Sequence, residues 1–134
     1  MYLDAHNSFR AKYHAPALTW NATLASKALE WSSKCVFEHS GGKLGPYGEN
    51  LAAGTGGYSI ADGIKGWTDE SSSYDPNNPT YSHFTQVVWK STTELGCAYT
   101  MCPDGSIFKD GNYGPAKYIV CEYFKQGNVV GQTK

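Results

Sequence analysis

The sequence predicts an α+β fold, in which helices from the first part of the chain pack on a small antiparallel sheet from the last part. Apolar residues recur at helical spacing before residue 71, whereas two candidate strands with turn signals between them come late in the chain. The 134 residues, of which 40% are hydrophobic, are enough for one core. We therefore expect residues 1–134 to form a single domain.

Two helices are predicted before Cys35. The first carries residues at helical spacing from Leu3 onward and ends before Pro16, which cannot continue a helix. The second begins after Asn21, a suitable N-cap residue, and places Leu24, Ala25, Ala28, Leu29 and Ser32 on one face.

A third helix is predicted from Ser59, which forms a capping box with Asp62. Ile60, Ile64 and Trp67 share its buried face, and Glu70 lies one turn beyond on the same side. Gly63 and Gly66 weaken this helix or allow a neighbouring group to approach closely.

The remaining segments alternate between loops and strands. A glycine-rich stretch without a strong period and a loop rich in Asn, Pro and Tyr flank the third helix, at residues 39–58 and 71–82. The segment around Phe84, Val87 and Val88 suits a short helix or a strand. Strands are predicted at residues 95–101 and 118–124, with Asp-Gly turn signals at residues 104–105 and 110–111 between them.

Composition excludes several classes of function. The net charge of -1 gives no basis for nucleic-acid binding, and no apolar run is long enough for a membrane helix. No signal-peptide pattern is visible, and we expect a mature domain whose leader has been removed. We also expect a monomer.

The cysteines indicate an oxidising compartment. The chain has an even number of cysteines with no CxxC spacing among them, which favours two disulfides over a zinc site. They are Cys35, Cys97, Cys102 and Cys121. Four buried thiols in a cytosolic protein are the alternative, and three disulfide pairings are open. Asn21-Ala22-Thr23 is a glycosylation sequon, in weak agreement with secretion.

Four segments together resemble the CAP superfamily, which includes the plant pathogenesis-related 1 proteins. They are SHFTQVVW at residues 82–89, YIVCEY at 118–123 with Gly127-Asn128 after it, GENL at 48–51, and His6-Asn7 with Arg10. The sequences of these segments are most similar to those of the secreted fungal and yeast members. The resemblance implies an αβα sandwich, extracellular localisation, and disulfides that join Cys35 to Cys102 and Cys97 to Cys121.

The resemblance implies a central cleft with two histidines and two glutamates, namely His39, Glu49, Glu70 and His83. Imidazole binds zinc well, so His39 and His83 are candidate ligands for weakly bound Zn2+ or another divalent cation. Two ligands fall short of the three usual in catalytic zinc sites. Because no Ser or Cys nucleophile accompanies the four residues, we expect a protein without enzymatic activity. A zinc-dependent hydrolase with Glu49 as general base is the alternative.

A second candidate site is the aromatic loop that leads into the fourth ordered segment. Its members are Tyr74, Pro76, Pro79, Tyr81 and Phe84. Proline stiffens such a loop, and tyrosine offers an apolar face with a polar tip, as a sterol with one hydroxyl requires. The alternative is that these rings fill the core. The fungal and yeast members bind sterols, although Ser82 and Tyr81 here replace the glycine and phenylalanine frequent in the family.

The resemblance also suggests a fatty-acid groove, which we expect between the helix from Asn21 and the helix from Ser59. The sequence thus predicts a secreted, non-catalytic lipid-binding protein involved in sterol binding or export. A host-directed effector or defence module is the other alternative. We further expect Arg10, Asn7 and Asn50 to bind backbone groups, and all four tryptophans to lie in the core.

Overall fold

The computed structural model describes residues 2–41, 44–56, 58–74, 82–103, 107 and 115–127. Within these ranges the chain forms helices and one four-stranded sheet, which confirms the α+β class. The helices are α1 (Tyr2–Lys12), α2 (Ala22–Ser32), α3 (Ile60–Thr68) and α4 (His83–Val87), with a 3-10 turn at Asp69–Ser73. The strands are β1 (Thr19–Trp20), β2 (Gly48–Thr55), β3 (Glu94–Cys102) and β4 (Ala116–Phe124).

The sheet is mixed rather than purely antiparallel. Its strand order is β1-β3-β4-β2, and β4 pairs antiparallel with both β3 and β2. The two-residue strand β1, which the sequence did not predict, runs parallel to β3 with Thr19 opposite Glu94. Strand β2 lies in the stretch predicted to have no regular structure. The two strands predicted late in the chain are confirmed.

Two hydrophobic clusters cover opposite faces of the sheet, because side chains alternate along the central strand. Ile119, Cys121 and Tyr123 join the cluster under α1, α3 and α4. Tyr118 and Val120 join the cluster under α2. Helices therefore lie on both sides of the sheet, which is the αβα arrangement that the resemblance implies. Among the described residues, no helix is long and apolar enough to cross a membrane.

Side-chain caps fix where three helices begin. The Asn21 carboxamide oxygen accepts the backbone N–H groups of Thr23 and Leu24 at the start of α2. Ser59 and Asp62 form the predicted capping box at α3. Ser82 and Thr85 form a second box at α4, and the segment whose type the sequence left open is therefore a short helix.

Both disulfides implied by the resemblance are present. Cys35 is bonded to Cys102, and Cys97 is bonded to Cys121, its direct neighbour across β3 and β4. Loops of 67 and 24 residues are closed in this way. In the chain-entropy model each bond contributes about 3–4 kcal/mol by restricting the unfolded chain.

Arg10 is fully buried and holds the turn that follows α4. Its guanidinium donates to the backbone oxygens of Val87 and Trp89, both at 2.9 Å, and to that of Thr92 at 3.1 Å. A further bond reaches the oxygen of Pro16 at 2.8 Å. The predicted role of Arg10 in binding backbone groups is confirmed, as it is for Asn7 and Asn50.

Two predictions about buried residues are wrong. Trp20 is 43% exposed because β1 lies at the edge of the sheet, while the other three tryptophans are buried as predicted. Leu29 is 50% exposed, since the face of α2 that meets the sheet is lined by Leu24, Ala28 and Trp31.

A buried chain of hydrogen bonds connects α1 to the start of α4. The His6 Nδ1–H donates to the Tyr2 carbonyl, and the Tyr123 hydroxyl donates to His6 Nε2 at 2.7 Å. Asn50 donates both to this hydroxyl and to the backbone oxygen of His83. Burial is the largest influence on His6 and lowers its pKa to about 4, so the ring is neutral and can accept from Tyr123.

Candidate functional site

The first histidine–glutamate pair lies where the chain enters β2. His39 Nδ1 donates to Glu49 Oε1 at 2.8 Å. Ser40 adds its backbone N–H to the same oxygen and its hydroxyl to Oε2. Burial alone would raise the pKa of Glu49, but these bonds and one from Glu122 outweigh it and lower that pKa to about 2. The hydrogen bond to Glu49 raises the pKa of His39.

Glu122 is a site residue that the sequence analysis missed. It lies directly opposite Glu49 in the register of β2 and β4 and is only 1% exposed. The pKa of Glu122 is raised to about 10, mainly by burial and next by the hydrogen bond and charge of Glu49. Glu122 is therefore a neutral acid beside the ionised Glu49, and its Oε2 is buried without a hydrogen-bond partner among the described residues. The available signal was an acidic residue between Cys121 and Tyr123 in a strand of buried side chains.

The second pair connects α4 to the 3-10 turn. His83 Nδ1 donates to Glu70 Oε2 at 2.7 Å, and the Phe84 backbone N–H donates to Glu70 Oε1 at 3.2 Å. The imidazole of His83 also stacks on Trp67, with ring centroids 6.2 Å apart. The carboxylate and the tryptophan together fix the orientation of the ring.

A polar cavity of about 350 Å³ opens beside the first pair. Its lining includes His39, Glu49 and Gln86. Gln86 is buried, and its side-chain oxygen accepts the Gly127 backbone N–H at 3.0 Å. A Cβ on Gly127 would meet the Gln86 amide, so glycine allows this close approach. Gln86 is the second residue that the sequence analysis missed, although it lies within the SHFTQVVW motif.

The four predicted cleft residues thus form two pairs. Glu70 and His83 are not in the lining described for this cavity, so a single cleft shared by all four stays a prediction. In both pairs a carboxylate holds Nδ1, which leaves Nε2 of His39 and His83 for a metal, an orientation common in zinc sites. No group of three or more potential ligands occurs in the part of the chain that the structure describes. Imidazole nitrogen, the donor that each pair offers, is a type of ligand that zinc accepts.

The structure changes the interpretation of the aromatic loop. Phe84 is 1% exposed and packs in the core against Phe9, Tyr13 and Tyr74, with ring centroids 5.2–5.9 Å apart. The prediction that Phe84 offers a face to a ligand is therefore wrong. Tyr74 is half-buried and leans on Phe84. Pro76, Pro79 and Tyr81 lie outside the described residues.

The prediction of a groove between α2 and α3 is also wrong, because these helices lie on opposite faces of the sheet. The helix facing α3 is α1. Between them runs a groove of about 240 Å³, lined by Ala5, Ser8, Phe9, Lys12, Ala61, Ile64, Lys65 and Thr68. The two glycines of α3 do not line this groove. A Cβ at Gly63 would meet Ile119 of the sheet.

Comparison with known proteins identifies close relatives among secreted fungal proteins. Residues 3–123 match the family model described as the cysteine-rich secretory protein family, abbreviated CAP. The chain is 43% identical to fruiting body protein SC7 of Schizophyllum commune over 99% of its own length and 67% of that protein. It is 44% identical to secreted protein RBT4 of Candida albicans, over 96% of its length but only 35% of RBT4.

Protein PRY2 of Saccharomyces cerevisiae is 40% identical over 97% of the chain and 38% of that protein. Several curated relatives are thus more than twice as long as the part that this chain matches. Two solved structures share the fold. BmVAL-1 has a TM-score of 0.75 and 22% identity, covering 98% of this chain and 78% of its own. The structure described as NaASP2 with Zn2+ has a TM-score of 0.74 and 21% identity, with coverages of 98% and 81%.

Proposed function

Because the chain belongs to the cysteine-rich secretory protein (CAP) family, we propose that it is an extracellular, non-catalytic lipid-binding protein. Its two disulfides and its secreted relatives indicate the extracellular location. We propose two lipid sites, a fatty-acid site between α1 and α3 and a sterol site at the loop after Tyr74. We also propose that residues 1–134 form one domain that acts as a monomer.

The observation that carries the proposal is the groove between α1 and α3. Phe9 and Ile64 make its floor apolar, while Lys12 and Lys65 stand among its lining residues. An acyl chain with a carboxylate head group matches this combination, since the chain is removed from water and the carboxylate meets the ammonium group of Lys12. Lys65 is already paired with Asp69 at 2.9 Å. The volume is below the range of about 300–1,000 Å³ usual for small-molecule pockets. The groove therefore suits a single acyl chain better than the rings of a sterol.

Filling the groove tests the fatty-acid site. Ala61 lines the groove and is exposed, so Ala61→Trp places a ring where the acyl chain would lie. We expect binding of radiolabelled palmitate, measured by filter titration, to fall at least about tenfold, which corresponds to about 1.4 kcal/mol of lost apolar burial. Ala22→Trp, at an exposed position on α2, is the matched control. Equal affinity for both variants and the wild type would remove the groove from the function.

The sterol site is supported by the packing at the start of the loop. Tyr74 is half-buried, and its ring leans on Phe84 with centroids 5.5 Å apart. Phe84 is in turn held by two rings of α1 and the turn after it, Phe9 and Tyr13. Tyr74 is thus held in place before any ligand binds, which reduces the ordering cost of binding. In this proposal Phe84 supports the ring of Tyr74, and Tyr81 is the second sterol-binding tyrosine of the loop.

Substitution of Tyr74 tests the sterol site separately. A ring face of about 50 Å² contributes about 1.3 kcal/mol, so Tyr74→Ala should weaken binding of radiolabelled sterol about tenfold. Tyr47→Ala, at another half-buried tyrosine, should bind sterol as the wild type does. Palmitate binding by Tyr74→Ala should be unchanged if the two sites are independent. Unchanged sterol affinity in Tyr74→Ala would refute the proposed role of this loop.

Catalysis is not part of the proposed function. The two disulfides use all four cysteines, so no thiol nucleophile is available.

We propose that His39 and His83 hold a divalent cation through Nε2, where zinc would act as a Lewis acid toward an oxygen ligand. Isothermal titration with Zn2+ should show weak binding that His39→Ala abolishes. Ester or peptide turnover that disappears with a chelator would contradict the non-catalytic assignment.

A further inference from the structure

Asn21 combines two features that the lipid-binding function does not use. It is the N-cap of α2, and it begins the triplet Asn21-Ala22-Thr23, which has the pattern that secretory oligosaccharyltransferases recognise. The triplet lies at the surface. Ala22 and Thr23 are exposed, and Asn21 is partly exposed.

The cap leaves room for a covalent bond at the side-chain nitrogen. Only the carboxamide oxygen of Asn21 takes part in the cap, accepting the N–H groups of Thr23 at 2.8 Å and Leu24 at 3.2 Å. The nitrogen Nδ2 donates one hydrogen to Glu94 Oε1 at 3.0 Å. An asparagine amide has two N–H donors, so the second is not needed by either contact. A sugar on Nδ2 would retain both the cap and the bond to Glu94.

The surroundings of Asn21 also accommodate a large polar group. β1, which ends at Trp20, is the terminal strand of the sheet, and its outer side has no strand partner among the described residues. Thr19 and Trp20 are both exposed there. A sugar chain at this position would lie in solvent beside the open edge and would hinder edge-to-edge pairing with another chain.

We propose that Asn21 carries an N-linked glycan in the secreted protein and at the same time caps α2. The reaction needs a polyisoprenyl-diphosphate oligosaccharide as donor. The bond between the sugar C1 and the diphosphate oxygen breaks, and a bond between C1 and Nδ2 forms. The lipid diphosphate leaves with the electron pair, and Nδ2 loses one proton.

Secretion of the chain from a yeast host tests this proposal. The intact mass should exceed the 14.6 kDa of the polypeptide, and enzymatic deglycosylation should remove the excess and convert Asn21 to Asp. Thr23→Ala destroys the triplet but keeps the asparagine cap, and Asn21→Asp keeps a capping oxygen without an acceptor nitrogen. Both variants should be secreted at the mass of the bare polypeptide.

A matched positive control comes from the turn after α4. Lys90 is exposed and precedes Ser91 and Thr92, so Lys90→Asn creates a new triplet in the same chain. Carried in the Thr23→Ala background, it reports whether the host modifies this protein. A glycan on Lys90→Asn together with an unmodified wild-type Asn21 would overturn the proposal.

Discussion

Replacement of Glu122 by glutamine should stabilise the protein at neutral pH, although it removes a buried group of the candidate site. Glu122 ionises with an ordinary pKa of 4.5 in the unfolded chain, while burial and the neighbouring Glu49 carboxylate raise that pKa to about 10 in the fold. A raised pKa contributes stability below pH 4.5 that is lost progressively as the pH rises toward 10. Folding at pH 7 must therefore return a proton to Glu122.

The size of this cost follows from the distance between pH 4.5 and pH 7. Each pH step of one is worth about 1.4 kcal/mol, so the cost at pH 7 is about 3 kcal/mol, however far above 7 the folded pKa lies. Glu122→Gln removes the cost and keeps a neutral donor toward Glu49. The amide bonds the carboxylate less strongly than the acid does, by about 1 kcal/mol. The net gain at pH 7 is about 2 kcal/mol, and little or none is expected at pH 4.5.

Urea unfolding followed by tryptophan fluorescence at pH 4.5, 7 and about 8.5 measures the effect. The stability of Glu122→Gln relative to the wild type should rise along this series, by about 3 kcal/mol between pH 4.5 and 7. The contributions of His6 and His39 to the pH dependence are common to both proteins and cancel in this difference. Both should lose stability as the pH falls from 4.5 toward 2, because the lowered pKa of Glu49 stabilises the fold only while Glu49 is ionised. Glu30→Gln, at an exposed position, is the control. Parallel curves for the wild type and Glu122→Gln would refute a neutral buried acid.

The remaining predictions concern the fold. Arg10→Met leaves three buried carbonyls and that of the exposed Pro16 without their donor and should cost about 4 kcal/mol in urea unfolding, whereas Lys12→Met at an exposed position should cost under about 0.5 kcal/mol. Gly96→Ala places a Cβ against the backbone of α2 and should cost about 3 kcal/mol, or prevent folding. Gly66→Ala meets nothing and should raise the melting temperature slightly, because alanine favours helix by about 1 kcal/mol. Unchanged stability of Arg10→Met or Gly96→Ala would contradict the buried packing of these two residues.

Local signals in the sequence were sufficient for the helix starts. A cap needs only a side-chain oxygen a few residues from free N–H groups, so Asn21 at α2 and the Ser59–Asp62 box at α3 were predictable from spacing alone. The disulfide pairing was not, because three pairings satisfy the same four positions. There the resemblance to a family supplied what spacing lacked.

The strands at the two edges of the sheet were missed for different reasons. β2 reads GENLAAGT, which has neither alternation nor β-branched residues before its last position, and its register with β4 gives it its structure. β1 has only two residues and leaves no period to detect. In both, long-range pairing outweighs weak local preference.

The site was predictable as a set of residues but not as an arrangement. The pairs His39–Glu49 and Glu70–His83 are contacts between distant segments, which no spacing reveals. Similarly, the amphipathic pattern of α3 shows that one face is buried but does not say against which helix. The predicted groove was misplaced for that reason, and Glu122 was missed because its importance comes from the residue opposite it.

The connection between β3 and β4 is anchored covalently at both sides. Cys102 at the end of β3 is tied to Cys35, and Cys97 is tied to Cys121 within β4. Doubling the length of residues 103–115 would add only about 0.6 kcal/mol of closure entropy, and the strands would stay in register. The two disulfides therefore act as a covalent frame that keeps β3 and β4 together whatever peptide is inserted between them.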